Sequence, residues 1–166
     1  MSQDGNKSLF ELINEPNHEQ IVFCNDNSIG LKAIIGIHNT NLGPAIGGTR
    51  MWNYSTDEEA LKDVLNLSKA MSYKSSLAGL NAGGGKAVLI GQSNIKNRNY
   101  LKRFAQFIKD LNGKYWTAQD VNMTTKDIVC INETCPFVVG LPKENGGLGD
   151  SSVPTAYGVY MGMKSA

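Results

Sequence analysis

Apolar side chains recur at helical spacing in two long stretches of the chain. The first stretch begins after residues 55–59, whose hydroxyl and acidic side chains match overlapping capping boxes, and continues to Met71. The second stretch covers residues 97–111, and its inward positions are Leu101, Phe104, Ala105, Ile108 and Leu111. These patterns predict two long amphipathic helices, with Lys74 near the end of the first.

Shorter runs rich in apolar and β-branched residues predict the strands. The four predicted strands are residues 21–24, 31–38, 86–90 and 115–118, of which the first two flank a polar turn and favour an antiparallel hairpin. Thr124 is expected to cap a third helix. The glycine-rich segments 41–51 and 79–85 are expected to be loops. We therefore predict a three-layer α/β/α domain with a mixed, mostly parallel sheet.

Composition and charge narrow the class of protein. With 166 residues, 41% of them apolar and 19% charged, the chain has the length and composition of one globular domain. The formal net charge of +1 gives no general attraction to nucleic acid or to a membrane surface. The polar start at residues 1–8 lacks the apolar segment of a signal peptide, and no run is long enough to span a membrane. The three cysteines form no CxxC pair, and His18 and His38 have no ligand-spaced companions, so a cytoplasmic protein without a metal site is expected.

The segment Gly83-Gly84-Gly85-Lys86 first suggests a phosphate-binding loop. The motif GxxxxGK[ST] would require glycine at Leu80 and serine or threonine at Ala87. A phosphate loop also follows a strand and opens a helix, whereas these glycines follow a predicted helix and precede a predicted strand. No G-x-G-x-x-G sequence occurs, so a Rossmann nucleotide-binding fold is not expected within this chain. A phosphate-binding enzyme stays an alternative that this context disfavours.

Lys74, Lys86 and Asp120 are the candidate functional side chains. Taken singly, Lys86 fits a solvated lysine at a strand edge, Lys74 a lysine at a helix end, and Asp120 a helix cap. The glycines beside Lys86 lack a β-carbon, so a ligand could lie close to the backbone there. Our hypothesis is that the two ammonium groups meet over one small anionic substrate.

Four motifs carry a more specific signal. In chain order they are G-P-A-I-G-G-T-R-M at residues 43–51, M-S-Y-K at 71–74, G-L-N-A-G-G-G-K at 79–86 and T-A-Q-D-V at 117–121. Together they resemble the amino-terminal domain of the glutamate/leucine/phenylalanine/valine dehydrogenases, and within that family they resemble the leucine dehydrogenases most. The resemblance implies a domain that binds the amino acid and contacts other subunits of a homo-oligomer. A following Rossmann domain would bind NAD, with the active site in the cleft between the two domains.

The resemblance also implies roles for individual residues. Lys74 matches the lysine that binds the substrate α-carboxylate, Lys86 the lysine that activates water, and Asp120 the carboxylate that exchanges protons with the amine. The other matched positions line the substrate site, namely Ile46, Gly47, Gly48, Met71 and Ala118, or contact nicotinamide, namely Thr155. The local order Ser152-Val153-Pro154 before Thr155 departs from the family pattern.

The implied chemistry accounts for these residue types. Hydride would pass from the α-carbon to NAD⁺, and water would add to the imine to give a 2-keto acid and ammonia. A lysine acts as a base near neutral pH only if its pKa falls from ~10.4 toward ~7–8. A second cation such as Lys74, and loss of solvent as the cleft closes, would lower the pKa of Lys86. Glutamate-specific relatives carry a lysine at the position of Ile46, so this aliphatic residue and the small Ala118 indicate Leu, Ile or Val as substrate.

The resemblance divides the chain unequally. Residues 1–150 are expected to form the substrate-binding and subunit-contact domain, and residues 151–166 the start of an interdomain helix that leads to an NAD-binding domain absent from this chain. The alternative is a stand-alone oligomerisation module, or one that binds amino or keto acids without turnover. The preferred branched-chain substrate, the choice of NAD or NADP and the number of subunits stay open.

Overall fold

The structure is a computed structural model, and it describes residues 8–14 and 17–166. This part of the chain contains five α-helices and five strands. The helices are α1 (Leu9–Asn14), α2 (Asp57–Leu77), α3 (Arg98–Asp110), α4 (Thr125–Asn132) and α5 (Ser152–Ser165). The strands are β1 (Gln20–Asp26), β2 (Leu31–Asn39), β3 (Ala45–Trp52), β4 (Gly83–Ile90) and β5 (Tyr115–Gln119). Residues 1–7 of the polar start lie outside the described residues.

The five strands form one sheet in the order β1-β2-β4-β3-β5. Strand β2 pairs antiparallel with β1 and with β4, whereas β3 pairs parallel with β4 and with β5. Four strands therefore run in the same direction, and β2 opposes them. This arrangement confirms the amino-terminal hairpin and the mixed, mostly parallel sheet that the sequence predicted.

Helices cover both faces of the sheet. Helix α2 packs on one face, over a core of Ile34, Ala60, Leu61, Val64, Leu65 and Val88. Helices α3 and α4 pack on the other face, over a larger core that includes Tyr100, Phe104, Tyr115, Ile128 and Ile131. The central strands β2 and β4 contribute to both cores, as their nearly continuous apolar sequences indicated. The three-layer α/β/α architecture is therefore confirmed.

Side-chain caps explain where two helices begin. Thr56 precedes α2 and accepts a hydrogen bond from the Glu59 backbone N–H at 3.1 Å, while Glu59 Oε2 accepts one from the Ser55 N–H at 2.8 Å. Thr124 and Asp127 form a reciprocal capping box at the start of α4. Each cap satisfies a backbone donor that the first helical turn leaves unpaired. The helix starts predicted from these residues are confirmed.

The prediction of a loop at residues 41–51 is wrong for most of that segment, because Ala45–Trp52 is the strand β3. Its glycines serve close packing between strands. A β-carbon at Gly47 would lie 1.6 Å from the carbonyl oxygen of Gly85 in the neighbouring strand β4. The loop predicted at residues 79–85 is also too long, since β4 begins at Gly83. Both errors have one cause, because glycine marks close backbone approach as well as turns.

Two histidines connect the hairpin to α2. His38 lies at a register shift of β2, and its Nδ1 is 2.7 Å from Ser72 Oγ. His18 Nε2 is 2.7 Å from Ser68 Oγ, and the two imidazole rings meet edge to face with centroids 4.8 Å apart. Burial, together with the charge of the neighbouring His38, lowers the pKa of His18 to about 4. His18 is therefore neutral at physiological pH.

The last helix, α5, has no buried side chain. Asp150 accepts hydrogen bonds from the backbone N–H of Ser152 and from the side chain of Gln119, each at 2.9 Å, so the start of α5 is tied to the end of β5. The domain limit near residue 150 stays a prediction. Neither α5 nor any other helix among the described residues has both the length and the apolar character needed to cross a membrane.

Candidate active site

Lys86 is a charged residue inside a buried strand. Strand β4 begins at Gly83, so Lys86 lies within the strand and not at its mouth, where the sequence suggested it would be. A β-carbon at Gly84 would point at Ser72 of α2, and side chains alternate along a strand, so Lys86 extends from the same face as Gly84. The Lys86 side chain is only 7% exposed. An ammonium group with so little contact with water requires a partner.

That partner is Asp120, the residue directly after β5. Lys86 Nζ lies 2.8 Å from Asp120 Oδ2. Strand β3 runs between β4 and β5, and at this level it carries Gly48, which faces Ala118 of β5. A β-carbon at Gly48 would lie 2.8 Å from the carbonyl oxygen of Gln119 and 2.9 Å from the β-carbon of Asp120. Glycine at position 48 therefore lets Asp120 approach the middle strand, within reach of Lys86.

The two charges change each other's protonation. Burial lowers the pKa of the Lys86 ammonium below its ordinary value, and the hydrogen bond and charge of Asp120 only partly oppose this effect. Burial acts to raise the pKa of Asp120, but hydrogen bonds and charges from Lys86 and Arg50 outweigh it, so the pKa of this carboxyl lies below its usual range. Asp120 is therefore ionised, and Lys86 gives up its proton more readily than a lysine in water.

Arg50 is a further member of the site, and its place in a glycine-rich segment did not indicate a functional role. Its Nε donates to Asp120 Oδ2 at 3.0 Å, and its Nη1 donates to Asp63 Oδ2 of α2 at 3.1 Å. Tyr54 donates its hydroxyl to the same Asp63 oxygen at 2.5 Å. Arg50 lies two residues after Gly48, on the same face of β3. Assigning residues 45–52 to a strand would therefore have indicated it.

Small and apolar side chains border these charged groups. Ile46 extends from the same face of β3 as Gly48, and Ala118 lies opposite Gly48 in β5. Ile46 and Ala118 are both partly exposed, so each can contact a ligand beside Lys86. The structure thus brings Ile46, Gly48, Lys86, Ala118 and Asp120 together on one face of three parallel strands.

The opposite face of the same strands is tied by buried hydroxyl groups. Thr49 Oγ1 lies 2.6 Å from Thr117 Oγ1 across the β3–β5 pair. The hydroxyl of the fully buried Tyr115 donates to the Gly47 carbonyl at 2.7 Å. These hydrogen bonds hold β3 against β5 directly beneath the charged residues, so the spacing that the site needs is set by the sheet.

The segment that builds this site has known relatives. Residues 18–136, which contain all five strands, match the family model of the Glu/Leu/Phe/Val dehydrogenase dimerisation domain. The chain belongs to this family. The resemblance predicted from the four sequence motifs is thereby confirmed.

Relatives of this dehydrogenase domain are named for different amino acids. The chain is 50% identical over 159 residues to leucine dehydrogenase of Geobacillus stearothermophilus, covering 95% of this chain and 43% of that one. It is 52% identical over 157 residues to phenylalanine dehydrogenase of Caldalkalibacillus thermarum, covering 94% and 42%. The crystal structure of L-tryptophan dehydrogenase from Nostoc punctiforme matches with a TM-score of 0.78 and 45% identity, over 80% of this chain and 40% of that one. The chain thus spans less than half the length of these relatives.

Lys74 and Met71 lie at the carboxyl-terminal end of α2 in this dehydrogenase domain. Lys74 is exposed in the last turn, and Met71 is partly buried. Helical spacing puts Lys74 on the same flank of α2 as Asp63, which reaches the site through Arg50. Besides burial, the positive charge that lowers the pKa of Lys86 is that of Arg50, whereas the sequence suggested Lys74. A substrate held jointly by Lys74 and Lys86 stays a prediction.

Thr155, the predicted nicotinamide contact, is exposed in the first turn of α5. Asp150, just before this helix, accepts the hydrogen bond from Gln119, whose neighbour in sequence is Asp120. The helix that carries Thr155 is thus connected to the end of β5, next to Asp120. A role for Thr155 toward a nucleotide stays a prediction.

Proposed function

We propose that this chain is the substrate-binding half of an NAD-dependent amino-acid dehydrogenase that converts a branched-chain L-amino acid to its 2-keto acid and ammonia. The observation that carries the proposal is the buried Lys86 hydrogen-bonded to Asp120 beside Gly48, in a member of this family. A lysine with a lowered pKa next to an ionised carboxylate provides two proton acceptors within reach of one small substrate.

Lys74 and the glycines of β3 would hold the amino acid. In this proposal the exposed ammonium group of Lys74 binds the substrate α-carboxylate. Gly48 lets the α-carbon approach the strand beside the backbone of Gly47, and Met71 packs against the substrate from α2. The α-amino group then faces Asp120.

The proton transfers of the reaction are assigned to the buried pair of Lys86 and Asp120. Asp120 accepts a proton from the substrate ammonium group, which frees the nitrogen lone pair to form the imine as hydride leaves the α-carbon. NAD⁺, held mainly by a domain outside this chain and contacted by Thr155, would accept that hydride. Neutral Lys86 takes a proton from the water that adds to the imine carbon, which gives a carbinolamine. Asp120 returns its proton to the carbinolamine nitrogen, and as the C–N bond breaks the hydroxyl proton passes to the departing ammonia, which leaves as ammonium. Lys86 then releases its proton to water. Burial of Lys86 supports this role because it favours the neutral amine.

The side-chain pocket favours an aliphatic substrate. Ile46 and Ala118 present apolar surface beside Gly48, so a charged substrate side chain would lose hydration there without gaining a partner. Arg50 is close, but its guanidinium group already binds Asp63 and Asp120. Discrimination among leucine, isoleucine and valine is expected to be weaker, because one methylene group is worth only ~1–3 kcal/mol.

Paired ligands test the proposal. Isothermal titration calorimetry on the 166-residue chain should show binding of the 2-keto acid of leucine, and about tenfold weaker binding of 2-oxoglutarate. Lys74→Gln should remove most of this binding. Lys62→Gln, which changes a partly exposed lysine of the same helix that pairs with Glu58, is the control and should not.

Turnover of leucine with NAD⁺ is measured on the complete product of the coding sequence. A preference for glutamate over leucine, or for 2-oxoglutarate over the 2-keto acid of leucine, would reject the substrate assignment. Keto-acid binding without turnover would favour a stand-alone binding module.

We also propose that the domain forms a homo-oligomer in the cytoplasm, with small molecules and neither nucleic acid nor membrane as ligands. The dimerisation domain named by its family model supports self-association, and the net charge of +1 supports the absence of a polyanionic partner. Light scattering would measure the mass in solution, and a monomer at all protein concentrations would reject this part of the proposal.

A further inference from the structure

Asp120 receives two charge-assisted hydrogen bonds at the same oxygen. Lys86 Nζ lies 2.8 Å from Oδ2, and Arg50 Nε lies 3.0 Å from that atom. Both donors therefore hold Oδ2, and neither of these bonds uses Oδ1. A carboxylate fixed through one oxygen by two directional donors presents its other oxygen in a defined direction.

Arg50 is itself held at its other end. Its Nη1 donates to Asp63 on α2, at 3.1 Å from Oδ2 and 3.4 Å from Oδ1, and Tyr54 donates its hydroxyl to Asp63 Oδ2 at 2.5 Å. The guanidinium group is planar with its donors in a rigid fork, so two carboxylates bound at different nitrogens fix its plane. We call the connected series Tyr54–Asp63–Arg50–Asp120 the arginine bridge. It joins α2 to the end of β5.

We propose that the arginine bridge orients Asp120 for the proposed reaction, with Arg50 as a positioning residue that directs Oδ1 of Asp120 toward the substrate amino group. The inference rests on the function proposed above and adds a residue that this function does not otherwise use. Arg50 contacts the carboxylate of Asp120 and not the reacting atoms, so its effect passes through Asp120.

The bridge also sets the electrostatic environment of Lys86. Beyond the effect of burial, the positive charge of Arg50 lowers the pKa of Lys86, and the negative charge of Asp63 raises it. Removing either charge should therefore move the titration of Lys86, and the two directions should be opposite. A purely structural contact would not give opposite shifts.

The surroundings of the bridge allow it to be altered without disrupting the fold. Arg50, Tyr54 and Asp63 help to line a surface cavity of about 450 Å³. The side chains of Arg50 and Asp63 are 25% and 27% exposed. Water can therefore replace a lost polar group at either position, and no dry void forms, so the variants are expected to fold.

Charge changes at the two ends of the bridge test the inference on the chain itself. Carbon-13 NMR of labelled lysine follows the titration of Lys86, whose signal is assigned by its loss in Lys86→Arg. Arg50→Gln should move the titration midpoint upward, and Asp63→Asn should move it downward. Arg103→Gln and Asp26→Asn, which break an arginine–carboxylate pair between α3 and β1, are the matched controls and should leave the midpoint in place.

Turnover measurements distinguish the orienting effect of Arg50 on Asp120 from the effect of its charge on Lys86. In the complete enzyme, Arg50→Gln should lower kcat by about tenfold or more with little change in KM, and should move the acidic limb of the pH–rate profile upward with the Lys86 midpoint. Arg50→Lys should restore the pH profile but not kcat. One ammonium group carries the charge, but it cannot contact Asp63 and Asp120 with the geometry of a guanidinium fork.

Two outcomes separate this inference from the proposed function. A Lys86 midpoint and a kcat in Arg50→Gln that match those of Arg103→Gln would overturn the arginine bridge while leaving the reaction intact. A wild-type protein that neither binds a 2-keto acid nor turns over an amino acid would reject the proposed function. Opposite shifts of the Lys86 midpoint in Arg50→Gln and Asp63→Asn would support the electrostatic role of the bridge even then.

Discussion

A methyl group added at Gly48 is expected to separate Lys86 from Asp120. The new β-carbon would lie 2.8 Å from the carbonyl oxygen of Gln119 and 2.9 Å from the β-carbon of Asp120. Carbon–carbon contacts are most favourable at ~3.5–4.0 Å, so the end of β5 would have to move by roughly 0.6 Å or more. The distance from Lys86 Nζ to Asp120 Oδ2 would then rise from 2.8 Å toward the limit of a hydrogen bond.

Three measurements test the consequences of this displacement. Urea denaturation of Gly48→Ala should show a loss of about 1–3 kcal/mol in the free energy of unfolding, the usual range for an overpacked site. The kcat of the complete enzyme should fall by about a hundredfold, since a shift of about 1 Å in a catalytic group has an effect of that order. The NMR midpoint of Lys86 should fall, because burial would act on it with a more distant carboxylate.

Two other glycines provide controls, one with a more severe and one with a milder expected effect. In Gly47→Ala the β-carbon would lie 1.6 Å from the Gly85 carbonyl oxygen, so this variant is expected to lose the pairing of β3 with β4 and fail to fold. In Gly158→Ala the β-carbon meets nothing within 4 Å on α5, so the change should be neutral or slightly stabilising. Stability, kcat and a Lys86 midpoint in Gly48→Ala equal to those of Gly158→Ala would refute the requirement for glycine at position 48.

Three further changes probe separate parts of the domain. Asp120→Asn should lower the pKa of Lys86 further, since burial then acts without the carboxylate that opposes it most, and an NMR midpoint that stays or rises would contradict this. His18 binds a proton near pH 6.5 when unfolded but only near pH 4 when folded, so the free energy of unfolding should fall as pH drops through that window. The pKa difference sets an upper limit of about 3 kcal/mol on this loss of unfolding free energy, and partial exposure of the ring reduces it. Urea denaturation on both sides of the pH window should show a smaller loss in His18→Gln than in the wild type. An equal loss would exclude His18 as its source. Ile46→Lys should strengthen binding of 2-oxoglutarate by about tenfold relative to Ile46→Met, as measured by calorimetry, and equal binding would place the substrate side chain elsewhere.

Helix positions were predictable because their signals are local. Thr56 and Thr124 lie within three residues of the backbone groups that they cap, so a short window of sequence contains the whole interaction. The apolar face of α3 likewise repeats within one element. The hairpin of β1 and β2 follows the same logic, since a short turn joins its two strands.

Strand β3 and Arg50 could not be predicted in this way. The glycines of β3 are explained by atoms distant in sequence, such as the Gly85 carbonyl oxygen, and local rules assign such glycines to turns. Arg50 then appeared to be a loop residue, and its partner Asp120 comes from another strand end. The family resemblance placed Lys86 and Asp120 in one active site, whereas no periodicity in the sequence shows that β4 and the end of β5, which lie on either side of β3, bring these side chains together.

The charged residues of the site come from strands that are neighbours in the sheet but remote in the chain. Helix α2 separates β3 from β4 in sequence, and α3 separates β4 from β5. Such non-local pairings form slowly, because each needs a long loop to close before its contacts are gained. A partly folded chain that has formed only its hairpin and helices would therefore not bind the proposed keto-acid ligand. After dilution from denaturant, the time course of recovered ligand binding would therefore report when the sheet is complete. This recovery should be slower than the return of the helical circular dichroism signal.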